Sequence, residues 1–181
     1  MGMESYYVDI LPKNVKFYMD GDIRKIEGVS SFNLSEFVMQ IQKLQLPIRL
    51  KNENIFIIDE AIQLQLILTN QNIQVITLQG CFTWFEEGIE LCYNIVRFIK
   101  TNIFEVDVSV LNEDINLDNE VEFKKNVIEL YNEKFEYFRK YLADFKAKIL
   151  PCDFYDYRKK ILKEKTSIIS KVKNFFKEPS I

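Results

Sequence analysis

The sequence predicts an α+β protein with a mainly antiparallel sheet and two covering helices, followed by a C-terminal antiparallel helical hairpin. Three observations predict this. Apolar and polar residues alternate over short runs broken by turn-forming residues through the first 115 positions. Two boxes, Asn33 with Glu36 and Thr83 with Glu86, each open a stretch of helical period. From residue 118 onward the apolar residues recur every seven. The matching division is an α+β domain over residues 1–115 and a helical hairpin over residues 116–181, packed on that domain or extending from it.

Taken in order, the first strand is expected over residues 6–11 and the second over 15–19, where Val15, Phe17 and Met19 alternate with Lys16 and Tyr18. Asp20-Gly21 is a two-residue hairpin signal that returns the chain through residues 22–27. Asn33 then caps a helix that carries Phe37, Val38, Ile41 and Leu44 and stops at Pro47. Residues 48–51, 54–58, 62–69 and 73–79 come next as strands, and the Asn- and Glu-containing turns between them suggest an antiparallel meander. Residues 55–58 are apolar on both faces and so are expected inside the sheet. A second helix, opened by Thr83, lines up Phe85, Ile89, Cys92, Val96 and Ile99 as one buried stripe ending near Lys100. Residues 103–111 return as a strand, with Phe104, Val106, Val108 and Val110 on one face and Glu105, Asp107 and Ser109 on the other.

The heptad region sets Val121, Ile128, Phe135, Leu142 and Ile149 in one column and Tyr131, Phe138 and Phe145 in another. One helix running to Leu150 would be roughly 45–50 Å long at about 1.5 Å per residue. Lys124 is the defect in its seam. Pro151 breaks it, and Asp153 can cap a second helix in which Ile161, Leu162, Ile168, Ile169, Phe175 and Phe176 continue a heptad pattern.

Composition narrows the function classes. With 48% of its residues hydrophobic the chain can bury a full core, and a net charge of −3 gives the whole molecule no attraction to nucleic acid or anionic lipid. The uncharged stretch at residues 61–85 is long enough to span a bilayer, but Gln63, Gln65, Asn70, Gln71, Asn72, Gln74 and Gln79 would each need a partner in hydrocarbon, so no transmembrane segment is expected. Residues 1–10 carry Glu4 and Asp9 and no basic-then-apolar run, which is unlike a secretory signal, and Tyr6 stands where a myristoylation motif requires Ser or Thr. A cytoplasmic location is the expectation by elimination. Cys81, Cys92 and Cys152 are odd in number and widely spaced, which fits neither a disulfide framework nor a zinc site.

The chain has no histidine, which removes Ser-His-Asp and Cys-His nucleophile pairs and histidine metal ligands together. Its five glycines form no phosphate-cradling loop. No cofactor is expected. The carboxylates left for chemistry are Glu86 and Glu90, one helical turn apart, and Glu105 and Asp107 on one strand face; together they would hold a hard cation such as Mg²⁺ if helix and strand faced each other. Solvated faces are the preferred explanation of both pairs, because the opposite faces carry the apolar residues.

Residues 158–177 hold eight basic residues against Glu164, a local charge of +7 in an acidic chain. A basic face opposite an apolar one can lie on an anionic membrane, bind nucleic-acid phosphates or enter a protein groove. Packing on the helix that begins at residue 118 is the simpler use of the same apolar face. The expected function is therefore a non-enzymatic interaction module, of the inhibitor, immunity or adaptor kind, whose hairpin serves self-association or holds a protein partner. Its expected contact residues are Phe135, Phe138, Phe145, Arg158, Lys159, Lys160, Lys163, Phe175 and Phe176. The alternatives are a peripheral nucleic-acid or membrane binder acting through residues 158–177, and a carboxylate-metal-dependent enzyme.

Overall fold

A computed structural model describes residues 5–28, 30–117 and 119–142, and of residues 83, 138, 139, 141 and 142 it describes the backbone alone. These residues all belong to the unit Met1–Pro151. They form an α+β fold built on a seven-stranded sheet in which every neighbouring pair is antiparallel.

Alternation builds the meander as expected. β4 (Ile48–Asn52), β5 (Ile55–Ile58), β6 (Ile62–Thr69) and β7 (Asn72–Cys81) lie side by side in chain order. The first strand, β1 (Ser5–Pro12), pairs along β7 on one side and along β8 (Val106–Val110) on the other, and the short β9 (Glu113–Asp114) closes that edge. β5 is flanked by β4 and β6, in line with its apolar character on both faces.

The pairing register sorts the side chains onto two faces. Phe56, Leu64, Leu78 and Val8 stand in one row across β5, β6, β7 and β1, and all four are buried. Two helices cover this face. α1 (Leu34–Ile41) starts on Asn33, whose Oδ1 accepts from the Glu36 N–H at 2.9 Å, and buries Phe37 and Ile41. α2 (Phe85–Asn102) buries Phe85, Ile89, Cys92, Val96 and Ile99, the whole expected stripe. It starts later than the Thr83–Glu86 box implies, because a 3₁₀ turn, Phe82–Trp84, comes first and Trp84 takes the cap position.

The opposite face is polar where the first is apolar. Gln63 Nε2 donates to Gln79 Oε1 at 2.9 Å, and Gln79 Nε2 donates onward to Tyr7 Oη at 3.0 Å and Ser5 Oγ at 3.2 Å. These amides thus satisfy one another within a sheet. The two-stranded hairpin of β2 (Lys16–Asp20) and β3 (Ile23–Glu27) is fixed to this face through Arg24, which reaches Asp9 at 2.8 Å and lies over the Phe17 ring at 3.3 Å. Its two-residue loop is Gly21-Asp22, one residue later than the Asp20-Gly21 reading; Gly21, at φ +62°, takes the first loop position, as a type II′ turn requires.

The heptad region differs most from its expected form. The helix is interrupted at Tyr131, giving α3 (Glu120–Leu130) and α4 (Asn132–Leu142) in place of one uninterrupted rod. α3 opens on Asn119, whose side chain accepts from the Glu122 N–H at 2.8 Å, an Asn-x-x-Glu box like that of α1. The face of α3 that packs on the body is Phe123 and Val127, followed by Tyr131, all buried, whereas Val121, which opens the expected column, is 76% exposed. Phe123 lies 5.5 Å from Tyr93 of α2, so residues assigned to the hairpin contribute to the core. Tyr131 is tied to β1, accepting from the Tyr7 N–H at 3.1 Å where β8 no longer covers that edge.

Candidate functional site

Of the expected contact residues, Phe135 is the one whose side chain is described. It is half-buried, with its ring edge-on to Phe85 at 5.0 Å. Phe138 has a described backbone only, and Phe145, Arg158, Lys159, Lys160, Lys163, Phe175 and Phe176 lie outside the described residues, as do Cys152 and the basic segment 158–177.

Two of the four carboxylates considered as metal ligands are held in ion pairs. Glu86 is bonded to Lys124, which explains the lysine that interrupted the expected seam. Glu105 is bonded to Lys13 at 2.7 Å; that hydrogen bond and the opposite charge lower the Glu105 pKa and raise that of Lys13. Among the described residues, no three of Asp, Glu and Cys come together in a way that would hold a metal ion. Cys81 and Cys92 are both buried. Burial pushes the Cys92 thiol up to about 12, so the nucleophilic thiolate is suppressed near neutral pH.

One concave site was not foreseen. A cleft of about 420 Å³ opens between the β2 strand and the β1–β8–β9 end of the polar face. The register explains its floor: Leu11 faces Asp107, and Asp9, Ser109 and Asp114 stand in one row across the three strands. Asp9 is fully engaged, accepting from Thr77 Oγ1 at 2.7 Å and from Arg24. Ser109, expected on a wet face, is 4% exposed, and its Oγ has no hydrogen-bond partner. Asp107 and Asp114 are exposed at the rim with Asn112, while Leu11 and Phe17 form the apolar wall. Asn112 is held there by a turn in which Leu111 and Asn112 have φ of +52° and +71°, the two positive values a type I′ hairpin loop needs.

A second concavity of about 570 Å³ lies between α1 and the edge strand β4, lined by Val38, Ile41, Ile48, Leu50 and Phe56. Leu50 in its wall is 62% exposed. Among the described residues no helix is long and apolar enough to cross a membrane. Compared with protein-family models, curated proteins and solved structures, the chain matches none.

Proposed function

We propose that this chain is a non-enzymatic protein-interaction module of the inhibitor, immunity or adaptor kind, acting in the cytoplasm. Residues 116–181 would supply the contact as a helical hairpin, and a second copy of the chain is the partner that a repeating heptad seam suits best. One observation carries the reading. The stripe Phe123–Val127–Tyr131 is spent on the body, whereas the heptad column that starts at Val121 begins on a solvent-exposed position of α3. α3 therefore keeps a second apolar edge beside the packed stripe, formed by the exposed Val121 and the half-buried Ile128. Buried thiols and ion-paired carboxylates favour a binding role over catalysis.

Light scattering on the size-fractionated full chain tests this. A dimer or larger species is expected, and Val121→Glu should shift it toward monomer while leaving the circular dichroism spectrum and the melting temperature nearly unchanged, since the residue is exposed. A strict monomer at every concentration, unchanged by Val121→Glu, counts against the reading. The charge of residues 158–177 favours a second reading, a peripheral binder of nucleic acid or anionic membrane. Binding to DNA or anionic vesicles that falls steeply with added salt and vanishes on deleting residues 158–181 would support it over the first.

A further inference from the structure

We propose that the β2–β3 hairpin is a flap that leaves the polar face of the sheet as a unit, with the Arg24–Asp9 ion pair as its latch, independent of the role proposed for residues 116–181. Its strands are bonded to each other. Among the described residues neither β2 nor β3 pairs with a strand of the seven-stranded sheet. A lone two-stranded ribbon is marginally stable in water, so its order depends on what it rests upon. It rests on little. The cross-strand neighbours Phe17 and Ile26 are half-buried, and the other residues of both strands are exposed, Met19 and Ile23 at 58% and 63%. The cleft of about 420 Å³ lies between β2 and the β8–β9 end of the sheet, so that side of the ribbon spans open space.

The latch is one side chain. Arg24 donates to Asp9 Oδ2 at 2.8 Å while its guanidinium covers the Phe17 ring at 3.3 Å, so it ties β3 to β1 and to β2 at once. Asp9 also accepts from Thr77 Oγ1, which keeps the carboxylate in place when the arginine leaves and water replaces it. The neck of the ribbon is pinned. Gly28, at φ +94°, passes so close to Asn14 that a Cβ on it would sit 2.0 Å from the Asn14 carbonyl oxygen. The Gly28 carbonyl accepts from Gln74 Nε2 at 3.0 Å, and on the other side the Val15 N–H donates to the Pro12 carbonyl at 2.7 Å. Both ends are thus held side by side against the sheet, and the residues beyond them can lift without unravelling the body. Lifting uncovers Asp9 and Leu11, which are 7% and 4% exposed in the closed form, and turns the cleft into an open groove over β1 and β8.

Amide hydrogen exchange of the full chain, measured at rising urea below the unfolding midpoint, tests the flap. The hydrogen-bonded amides of β2 and β3 are expected to share one opening free energy. It should lie below that of the slowest amides of β6 and β7 and barely respond to urea, because a small opening exposes little surface. Arg24→Ala should speed exchange in the hairpin about tenfold, the loss of one charge-assisted hydrogen bond. Val96→Ala, in the buried stripe of α2, is the control. It should speed the slowest amides of β6 and β7 and leave those of the hairpin unchanged, since its cavity persists whether the flap is open or closed. The proposal is overturned if the hairpin amides exchange with the slowest amides of the sheet and share their urea dependence, or if they exchange one by one as a fraying ribbon does. It is equally overturned if Arg24→Ala leaves their rates in place, or if Val96→Ala speeds them as much as it speeds β7.

Discussion

Tyr6 shows how closely single residues of this fold depend on one another. Its ring lies across Gly80 on the neighbouring strand, and its hydroxyl approaches both Gly88 of α2 and Cys92 Sγ, the latter at 3.9 Å. A Cβ placed on Gly80 would sit 2.2 Å from Tyr6 Cζ, and one on Gly88 would sit 2.8 Å from the hydroxyl. These two glycines form the slot that lets a fully buried tyrosine fit between sheet and helix. Gly80→Ala should therefore destabilise the protein by about 1–3 kcal/mol, the usual cost of overpacking a dense core. Urea unfolding measures it, and a double variant with Tyr6→Leu should recover part of the loss because the clash is with that ring. If Gly80→Ala alone leaves the urea midpoint in place, Tyr6 does not occupy the slot. Asp9 illustrates the polar counterpart: the same buried carboxylate joins β7 through Thr77 and the β2–β3 hairpin through Arg24.

At the scale of elements, what could be read along the chain depended on whether one local period decided the outcome. β6 alternates Ile62, Leu64 and Leu66 against Gln63 and Gln65 because only one of its faces meets helices, and its bounds emerge directly. The α2 stripe was equally plain, since five apolar residues fall on one side of a single helix. Three features depend on contacts between distant segments and so had no local signature. They are the central position of β1, the choice of Phe123 and Val127 over Val121 as the packed side of α3, and the burial of Ser109 in a strand whose neighbours Asp107 and Asp114 are exposed. The cleft was unreadable for the same reason. Asp107 stood out as a carboxylate, but its place beside β2 appears only when β8 meets the N-terminal strands, some ninety residues away in sequence.

Loop chemistry between elements was partly legible, and it allows a test. Asn70-Gln71 and Leu111-Asn112 are both two-residue loops with positive φ at each position; the asparagines tolerate this region, whereas Gln71 and Leu111 are of types that avoid it. Leu111 is 43% exposed, so its side chain has limited packing to lose. Leu111→Asn should stabilise the chain by up to about 1 kcal/mol by relieving the left-handed strain, and Leu111→Val should do the reverse. Calorimetric melting temperatures of the two variants should bracket that of the parent; the same melting temperature for both would show that the turn stores no strain.

For the molecule as a whole, the sheet, α2 and the α3–α4 break share one aromatic cluster, and that cluster makes stability depend on alkaline pH. Tyr6 packs on Phe82 and Phe85 at 5.6 and 5.2 Å, Phe82 meets Tyr131 at 5.6 Å, and Phe85 meets Phe135 at 5.0 Å. Three weak acids lie in or against it. Burial raises Tyr6 well above its ordinary value, lifts Cys92 to about 12 from 9.0, and lifts Tyr131 to about 12 from 10.0. In each case the folded form holds its proton at a pH where the unfolded chain has released it. The folded state then binds more protons than the unfolded one, and the linkage relation makes unfolding easier as pH rises. Stability should hold steady up to about pH 9, where the unfolded cysteine starts to ionise, and should fall through the window to about 12 as the unfolded tyrosines lose their protons in turn. Urea midpoints measured from neutral pH upward should trace this decline. Tyr6→Phe removes one titrating group from the cluster and should flatten the slope above pH 10 even though it loses the contact with Cys92 Sγ. Cys92→Ala should remove the earliest part of the decline, near pH 9. A parent protein whose urea midpoint does not change between neutral pH and pH 11 would mean that these groups reach water in the folded state, and that the aromatic cluster does not close over them.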